Sequence, residues 1–288
     1  MLSTDSAIHR LRRDLTLGTL VRATLLAAAV AALVVLPVVA PQVHSTLALM
    51  AVGLVWVVLG YNSAKGSRLS ADAPALIAAG QYDEAEERLS QAVGRFSLFK
   101  QVKLQTLHQL AQLRHAQKRY ADAARLCQEV LGQRNADKLP MAKAVRLLQA
   151  DAMLELDDVR GAHAALSGLY GQRLALAEVL VLLVAQLDYE ARVGAWDRMM
   201  HDVMTKVQLA ELMSSPSAAR AQALLAVAAR HAGRPDFCAW LRARAELLVD
   251  WQTLVARRPM LAELWSDAPG GEEPCGEAAS PHAAVTAP

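Results

Sequence analysis

The sequence has few cysteines and few aromatic residues. Its three cysteines, Cys127, Cys238 and Cys275, are odd in number and widely spaced, a pattern that indicates neither a disulfide framework nor a zinc motif. Aromatic residues make up 5% of the chain and apolar residues 54%, and most of the apolar residues are Ala and Leu, which are strong helix formers. The composition therefore predicts an all-α protein, and the few cysteines fit a reducing compartment.

Motifs of the common enzyme classes are also missing from the sequence. It has no Gly-rich phosphate loop, G-x-S-x-G elbow, H-E-x-x-H helix or paired C-x-x-C. His108 and His115 could share a helix face, but no third residue follows them at metal-ligand spacing. We therefore predict no catalytic residue, no cofactor and no metal, and expect that the protein is not an enzyme.

One long segment near the N-terminus lacks charge. From Ala23 to Ala64 there is no Asp, Glu, Lys or Arg. As a single helix this segment would be about twice as long as the ~30 Å hydrocarbon core of a bilayer. We predict two transmembrane helices, at about Thr19–Ala40 and Ser45–Tyr61, joined by a turn at Pro41–Ser45. Residues 1–18 precede this hairpin, which as a whole spans residues 19–64.

Basic residues set the predicted orientation of the hairpin. Arg10, Arg12 and Arg13 precede the first span, Lys65 and Arg68 follow the second, and the turn between the spans has no Lys or Arg. The positive-inside rule then places both termini and the rest of the chain in the cytoplasm. A cleaved signal peptide is the alternative, since a basic start precedes the apolar run. The second span would anchor the chain in either case.

A pattern of small, aromatic and apolar residues recurs after the membrane segment. It first occurs at Gly80–Ala92, GQYDEAEERLSQA, and an apolar helix precedes each later occurrence. One anchor position per repeat is small or apolar, and successive anchors are 37 to 39 residues apart: Ala85, Ala123, Ala162, Met199 and Cys238. Each repeat therefore predicts a helix–turn–helix unit. Since one such unit cannot bury its own apolar face, several must stack.

The first two repeats resemble the tetratricopeptide (TPR) family. In the first, the matching residues are Gly80, Tyr82, Ala85, Leu89 and Ala92; in the second, they are Leu107, Leu110, Ala111, Tyr120 and Ala123. Later repeats diverge, with Met199 and Cys238 in place of Ala and a period longer than the family's ~34 residues. The resemblance implies a TPR-like α-solenoid of about five helical hairpins over residues 65–265. The order of spans and repeats is similar in outline to bacterial inner-membrane TPR proteins, one type of which is linked to haem biosynthesis.

The resemblance also implies a binding groove. TPR arrays hold extended peptides or partner helices on a concave face that is lined by the first helix of each unit. On this chain that face would comprise Gln105, His108, Gln109, Gln112, Asp151, Asp188 and Arg220. The Lys/Asn/Arg set with which some TPR domains hold a terminal carboxylate is absent from these positions, and the polar row is also compatible with a solvated helix face.

Basic residues concentrate in the first half of the repeat region. Between Arg88 and Arg146, twelve Lys or Arg face three acidic residues, whereas acids outnumber bases from Asp151 to Glu211. The predicted basic flank comprises Arg88, Arg95, Lys100, Lys103, Arg114, Lys118 and Arg119. Anionic head groups, an acidic protein partner and a bare solvated face all fit this pattern. Few stacking aromatics accompany the basic residues, so we expect no nucleic-acid partner.

Two further segments have a distinctive composition. Leu174–Leu187 is apolar but short and contains Glu178, which favours a core helix over a third span. The acidic tail at 266–288 is rich in Gly, Pro and Ser, which predicts disorder.

Taken together, the sequence predicts an integral membrane scaffold or adaptor, in the inner membrane if bacterial, that binds an unidentified protein partner or helps assemble a membrane-associated complex. A stably bound accessory subunit and a membrane-associated enzyme regulator are the alternatives.

Overall fold

The computed structural model describes residues 3–35, 45–97 and 99–266. All regular secondary structure in these ranges is helical, as the composition predicts. The predicted turn between the two spans lies outside the described residues except for Ser45, and the predicted disordered tail does so except for Ser266. The chain divides into two compact units, of which the first ends at Tyr189 and the second starts at Glu190.

Two long helices come first. Helix α1 (Thr4–Val30) begins after Ser3, whose side chain accepts a hydrogen bond from the Ser6 N–H, and it continues as a π-helical segment, Ala31–Val35. Helix α2 covers Ser45–Ala71. The segments Thr4–Val34 and Leu49–Ala78 are each long and apolar enough to cross a membrane.

The rest of the described chain consists of shorter helices. In chain order these are α3 (Ala73–Ala78), α4 (Tyr82–Gly94), α5 (Lys100–Ala116), α6 (Tyr120–Leu131), α7 (Ala142–Glu155), α8 (Val159–Ser167), α9 (Leu176–Arg192), α10 (Trp196–Met200), α11 (Val203–Glu211), α12 (Ser215–His231), α13 (Pro235–Leu248), α14 (Trp251–Arg257) and α15 (Glu263–Ser266). Short 3₁₀ turns at Ala136–Lys138 and Pro259–Ala262 lie before α7 and α15.

The same turn recurs in each of the five repeats. Five residues before each anchor, the backbone adopts a left-handed conformation with φ between 60° and 76°, at Gly80, Lys118, Asp157, Gly194 and Gly233. In the first turn, Gly80 N–H donates to the Ile77 carbonyl and Gln81 N–H to the Leu76 carbonyl. The other four turns repeat this pair of hydrogen bonds, which is the Schellman ending of a helix. The turn geometry therefore has the period of the sequence pattern.

The anchor positions are core positions in four repeats. Ala85, Ala123, Ala162 and Met199 are fully buried, whereas Cys238 is half-buried. The small side chains of Ala85, Ala123 and Ala162 let the helices of a repeat approach closely. The predicted core helix at Leu174–Leu187 corresponds to part of α9, which buries residues in its second half but leaves Leu176 and Val181 exposed in its first half.

The first half of α1 packs against the repeats, whereas its second half does not. A stripe of five α1 residues is buried: Thr4, Ala7, Leu11, Asp14 and Gly18. Ala7 and Leu11 belong to one core cluster with Leu104 of α5 and Cys127 of α6. Beyond Gly18 no residue of α1 is buried, and Leu20 has 62% of its surface accessible. The exposed apolar part of α1 therefore begins where the first predicted span begins.

Helix α2 shows the opposite order along its length. Most residues from 50 to 61 are exposed, and Tyr61 is 66% accessible, whereas Ser63 and Ser70 are buried. It packs against α4 and α5 through this second part. The predicted boundary between membrane hairpin and repeat region, at residues 64 and 65, thus falls inside one continuous helix.

Candidate functional site

Helix α5 places four of the predicted groove residues in one cleft. This helix consists largely of strong helix formers, and its 3.6-residue period brings Gln105, His108, Gln109 and Gln112 to one side. They line a cleft of about 310 Å³ whose remaining lining residues are Pro74, Gln101, Pro140 and Met141. We call these eight residues the glutamine cleft. None of the eight carries a carboxylate, an ammonium or a guanidinium group.

Two buried polar atoms in the glutamine cleft lack a hydrogen-bond partner among the described residues. They are His108 Nε2 and Gln109 Oε1, and their side chains belong to residues that are only 8% and 5% accessible. Buried polar atoms in proteins are nearly always hydrogen-bonded, and leaving one unpaired costs about 1–3 kcal/mol. A ligand that supplied partners to both atoms would therefore remove an unfavourable contribution.

Burial also fixes the charge of His108. Desolvation lowers the pKa of the His108 imidazole to about 4, so the ring is neutral at pH 7. A neutral imidazole nitrogen either accepts or donates one hydrogen bond, according to the tautomer. Gln109 Oε1 is an acceptor, and each exposed carboxamide can both donate and accept. The cleft thus offers uncharged hydrogen-bonding groups of the kind that pair with a peptide backbone.

The other three predicted groove residues do not join the glutamine cleft. The Asp151 carboxylate lies 3.0 Å from His115 Nε2. Asp188 is fully buried and so cannot line an open groove. Arg220 belongs to the second compact unit. The structure therefore brings together the four predicted groove residues on α5, and the prediction is wrong for Asp188 because that side chain is in the interior.

Two members of the predicted basic flank are in the interior as well. Arg114 is fully buried, and its guanidinium donates to both carboxylate oxygens of Glu86, at 3.0 and 3.1 Å. Lys103 is buried with its Nζ 2.8 Å from Asp14 Oδ2. The flank prediction is wrong for these two residues, because each neutralises a carboxylate that lies outside the segment over which the charge was counted.

The five remaining flank residues are half-buried or exposed, but several are engaged. Arg88 pairs with Asp72 and Glu84, each at 2.7 Å, and Arg119 pairs with Asp122. Lys100 Nζ donates to the Arg134 carbonyl at 3.0 Å. Arg95 and Lys118 complete the set. The net positive charge on the surface is therefore smaller than the number of basic residues in the sequence suggests.

Ion pairs with the N-terminal helix account for part of the difference. Arg125 pairs with Asp5 at 2.7 Å, and Arg12 pairs in two-point geometry with Glu129 at 2.7 and 2.9 Å. Together with Asp14 and Lys103, these contacts attach α1 to α5 and α6. The sequence signal for this docking is the stripe at positions 4, 7, 11, 14 and 18, whose alternating three- and four-residue steps are typical of a packed helix face.

The cysteine, histidine and acidic residues were also compared with the requirements of a metal site and of a reactive thiol. The described residues contain no group of three or more His, Cys, Asp or Glu that could hold a metal ion. Burial raises the pKa of the Cys127 thiol to about 12, so this cysteine is protonated and unreactive in the folded chain. Comparisons of the chain with protein-family models, with curated proteins and with solved structures gave no match, and the TPR resemblance stays a prediction.

Proposed function

We propose that the protein is a membrane-anchored, TPR-like scaffold or adaptor that binds an extended segment of a protein partner in the glutamine cleft. The observation that carries this proposal is the pair of buried, unpartnered atoms, His108 Nε2 and Gln109 Oε1, in a cleft open to solvent. The role is binding and not catalysis.

The character of the cleft favours a particular kind of ligand. Because its lining has no charged side chain, it provides no counterion for a terminal carboxylate or for an acidic or basic peptide. The carboxamides suit the N–H and C=O groups of an extended backbone, and Pro74, Pro140 and Met141 supply apolar walls for its side chains. We therefore expect an internal, uncharged segment of the partner to be the ligand.

Packing of the two long helices supports the proposed membrane hairpin. The first half of α1 and the second half of α2 both contact the first repeats, whereas the apolar parts of both helices are exposed. A hairpin that leaves the repeats through α1 and returns through α2 needs both ends on one side of the membrane. The positive-inside rule makes that side the cytoplasm. Cleavage after α1 would remove Asp14 from buried Lys103, which favours an uncleaved chain.

Anchoring would make a weak cleft effective. Confinement to a membrane surface raises the concentration of the cleft around partners that are held in the same membrane. An affinity too low for capture from solution is then sufficient for assembly.

The test is a pull-down of the full-length tagged protein in mild detergent, followed by mass spectrometry. The cleft variant is Gln105→Ala/His108→Ala/Gln109→Ala, and the matched control removes two exposed carboxamides elsewhere, Gln91→Ala/Gln208→Ala. Loss of a partner from the cleft variant alone supports the proposal. Retention of every partner by the cleft variant refutes the cleft as the binding surface, and a wild type without any partner counts against a scaffold.

One observation favours the alternative of a stably bound accessory subunit. Large apolar side chains are exposed near the end of the second unit, at Trp240, Leu247, Leu248 and Trp251, and Leu247 is 85% accessible. Such exposure is typical of a surface that another protein covers. A subunit of this kind should co-purify in constant ratio with its neighbours, and Leu247→Glu/Trp251→Glu should release it while the cleft variant does not.

A further inference from the structure

We propose that a cleft formed by Arg22, Lys100 and Arg134, at the membrane edge of the repeats, binds the phosphate of an anionic phospholipid. The inference rests on the membrane anchoring proposed above. It concerns a different surface from the glutamine cleft and a different partner, a lipid in place of a protein.

The position of the cleft follows from the exposure of the two long helices. The last buried residue of α1 is Gly18, and Leu20 is exposed; in α2, Tyr61 is exposed and Ser63 is buried. The edge of the hydrocarbon region therefore passes close to these residues. Arg22 lies one helical turn beyond Gly18, and its long side chain can reach back to the head-group level.

Two adjoining cavities meet at the basic residues. One, of about 340 Å³, is lined by residues that include Gly18, Thr19, Arg22, Lys100 and Arg134. The other, of about 480 Å³, is lined by Arg22, Phe99, Lys100, Gln101, Val102 and Gln105. Both therefore share Arg22 and Lys100, which come from helices far apart in the sequence. A head group placed between the two cavities would contact cations on α1 and α5 and in the loop after α6.

The charge of the cleft is positive. Asp14 is the only acidic residue among the lining residues of either cavity, and its carboxylate is 2.8 Å from the Lys103 ammonium. Lys100 uses one of its three N–H groups on the Arg134 carbonyl. The first turn of α5 adds positive potential, because Phe99 at its start makes no side-chain cap and residues 99–102 line the second cavity.

Neighbouring apolar surface favours a lipid over a free phosphate. Phe99 in the cleft and Leu20 beside it are both exposed, and the apolar face of α1 continues from there. A phospholipid can place its phosphate on the three cations and its acyl chains along α1 at once. A soluble phosphate would use only the first of these contacts.

The experiment uses full-length protein in detergent, stripped of lipid and titrated with phosphatidylglycerol or phosphatidylcholine of the same acyl chains, with bound lipids counted by native mass spectrometry. We expect one phosphatidylglycerol to bind tightly and phosphatidylcholine to bind weakly. Since each cation contributes about 1 kcal/mol, the triple variant Arg22→Gln/Lys100→Gln/Arg134→Gln should weaken binding of phosphatidylglycerol by about a hundredfold. Arg134→Glu alone, at an exposed position, should weaken it by at least tenfold.

The control variant removes the same charge from exposed positions elsewhere, Lys118→Gln/Arg160→Gln/Arg257→Gln. Equal weakening in this control would overturn the site in favour of general surface charge, and equal binding of the two lipids would overturn it outright. Competition by glycerol phosphate at the lipid's own concentration would overturn the lipid as the ligand. Extraction of the wild type from membranes by carbonate would overturn the proposed anchoring and with it this inference, whereas lost lipid selectivity with intact anchoring overturns the inference alone.

Discussion

One of the contacts that attach α1 to the repeats is a buried ion pair, and Asp14→Asn tests its contribution. Asp14 and Lys103 are each 5% accessible at the side chain and 2.8 Å apart. Removing one partner of a buried ion pair costs about 3–5 kcal/mol, because the other charge stays buried without compensation. Lys103 also donates hydrogen bonds to the carbonyls of Val93 and Arg95. These bonds would partly stabilise the ammonium after the carboxylate is lost. We therefore expect the lower end of that range, about 3 kcal/mol.

Cys127 reports the loss of packing. It is fully buried in the core cluster that contains Ala7 and Leu11 of α1, and burial raises the pKa of its thiol to about 12. The thiol therefore reacts only from an opened state. In full-length protein with Cys238→Ser and Cys275→Ser, a loss of about 3 kcal/mol should raise the rate of thiol labelling in detergent by roughly 150-fold, at 1.4 kcal/mol for each factor of ten.

Asp5→Asn is the matched control, since it makes the same substitution in the same helix. The Asp5 side chain is 73% accessible and that of its partner Arg125 is 57% accessible, and exposed pairs contribute less than about 1 kcal/mol. Its labelling rate should rise by less than about fivefold. Similar rates for Asp14→Asn and Asp5→Asn would refute the argument. The double variant Asp14→Leu/Lys103→Met, which removes both charges, should label close to the wild-type rate.

Three other predictions follow from single side chains. The pKa of His108 is about 4 in the folded chain against 6.5 for an unperturbed imidazole, so the unfolded chain binds more protons between these pH values. The stabilising contribution is therefore complete above pH 6.5 and falls as the pH drops towards 4, by about 2–3 kcal/mol at pH 4.5. In denaturant titrations at pH 7 and pH 4.5, the free energy of unfolding should decrease less for His108→Gln than for the wild type. Lys118→Gly should raise the free energy of unfolding by about 0.5–1 kcal/mol, since φ is 60° there, and a lower denaturation midpoint would contradict this. Glu86→Gln should lower the free energy of unfolding by about 3 kcal/mol, because the buried Arg114 guanidinium would lose its carboxylate partner. A change below 1 kcal/mol would show that the ion pair is not needed for stability.

Local patterns in the sequence predict the helical units well, because they depend on residues that are close in the chain. The anchor spacing locates every repeat, and glycine at 80, 194 and 233 coincides with three of the five left-handed turns. Lys118 and Asp157 adopt the same backbone conformation without being glycine. Because neither residue is glycine, residue type alone does not mark these two turns.

The candidate site likewise combines residues that a local sequence pattern predicts with residues that it does not. Gln105, His108, Gln109 and Gln112 are predictable because one helix carries them at helical spacing. Pro74 and Pro140 reach the cleft from other segments, and the missing partners of His108 and Gln109 depend on what those segments leave uncovered. The prediction of the basic flank fails for a related reason. Lys103 lies in a basic stretch of sequence, but it is neutralised by Asp14, which is distant in the sequence and adjacent in the fold.

Continuity between anchor and repeats bears on how such a scaffold would act. A boundary between membrane hairpin and binding domain at residues 18 and 64 would allow a flexible tether, and the concentration gain would then fall as the tether lengthens. Instead α1 and α2 each run through their predicted boundary without a break, and α1 is attached to α5, the helix that carries the glutamine cleft. The cleft is therefore held at a fixed height from the exposed apolar segments. A partner whose binding segment lies at that height would be captured, whereas the same segment on a longer arm would gain little. In the proposed scaffold, distance from the membrane would therefore be part of the specificity.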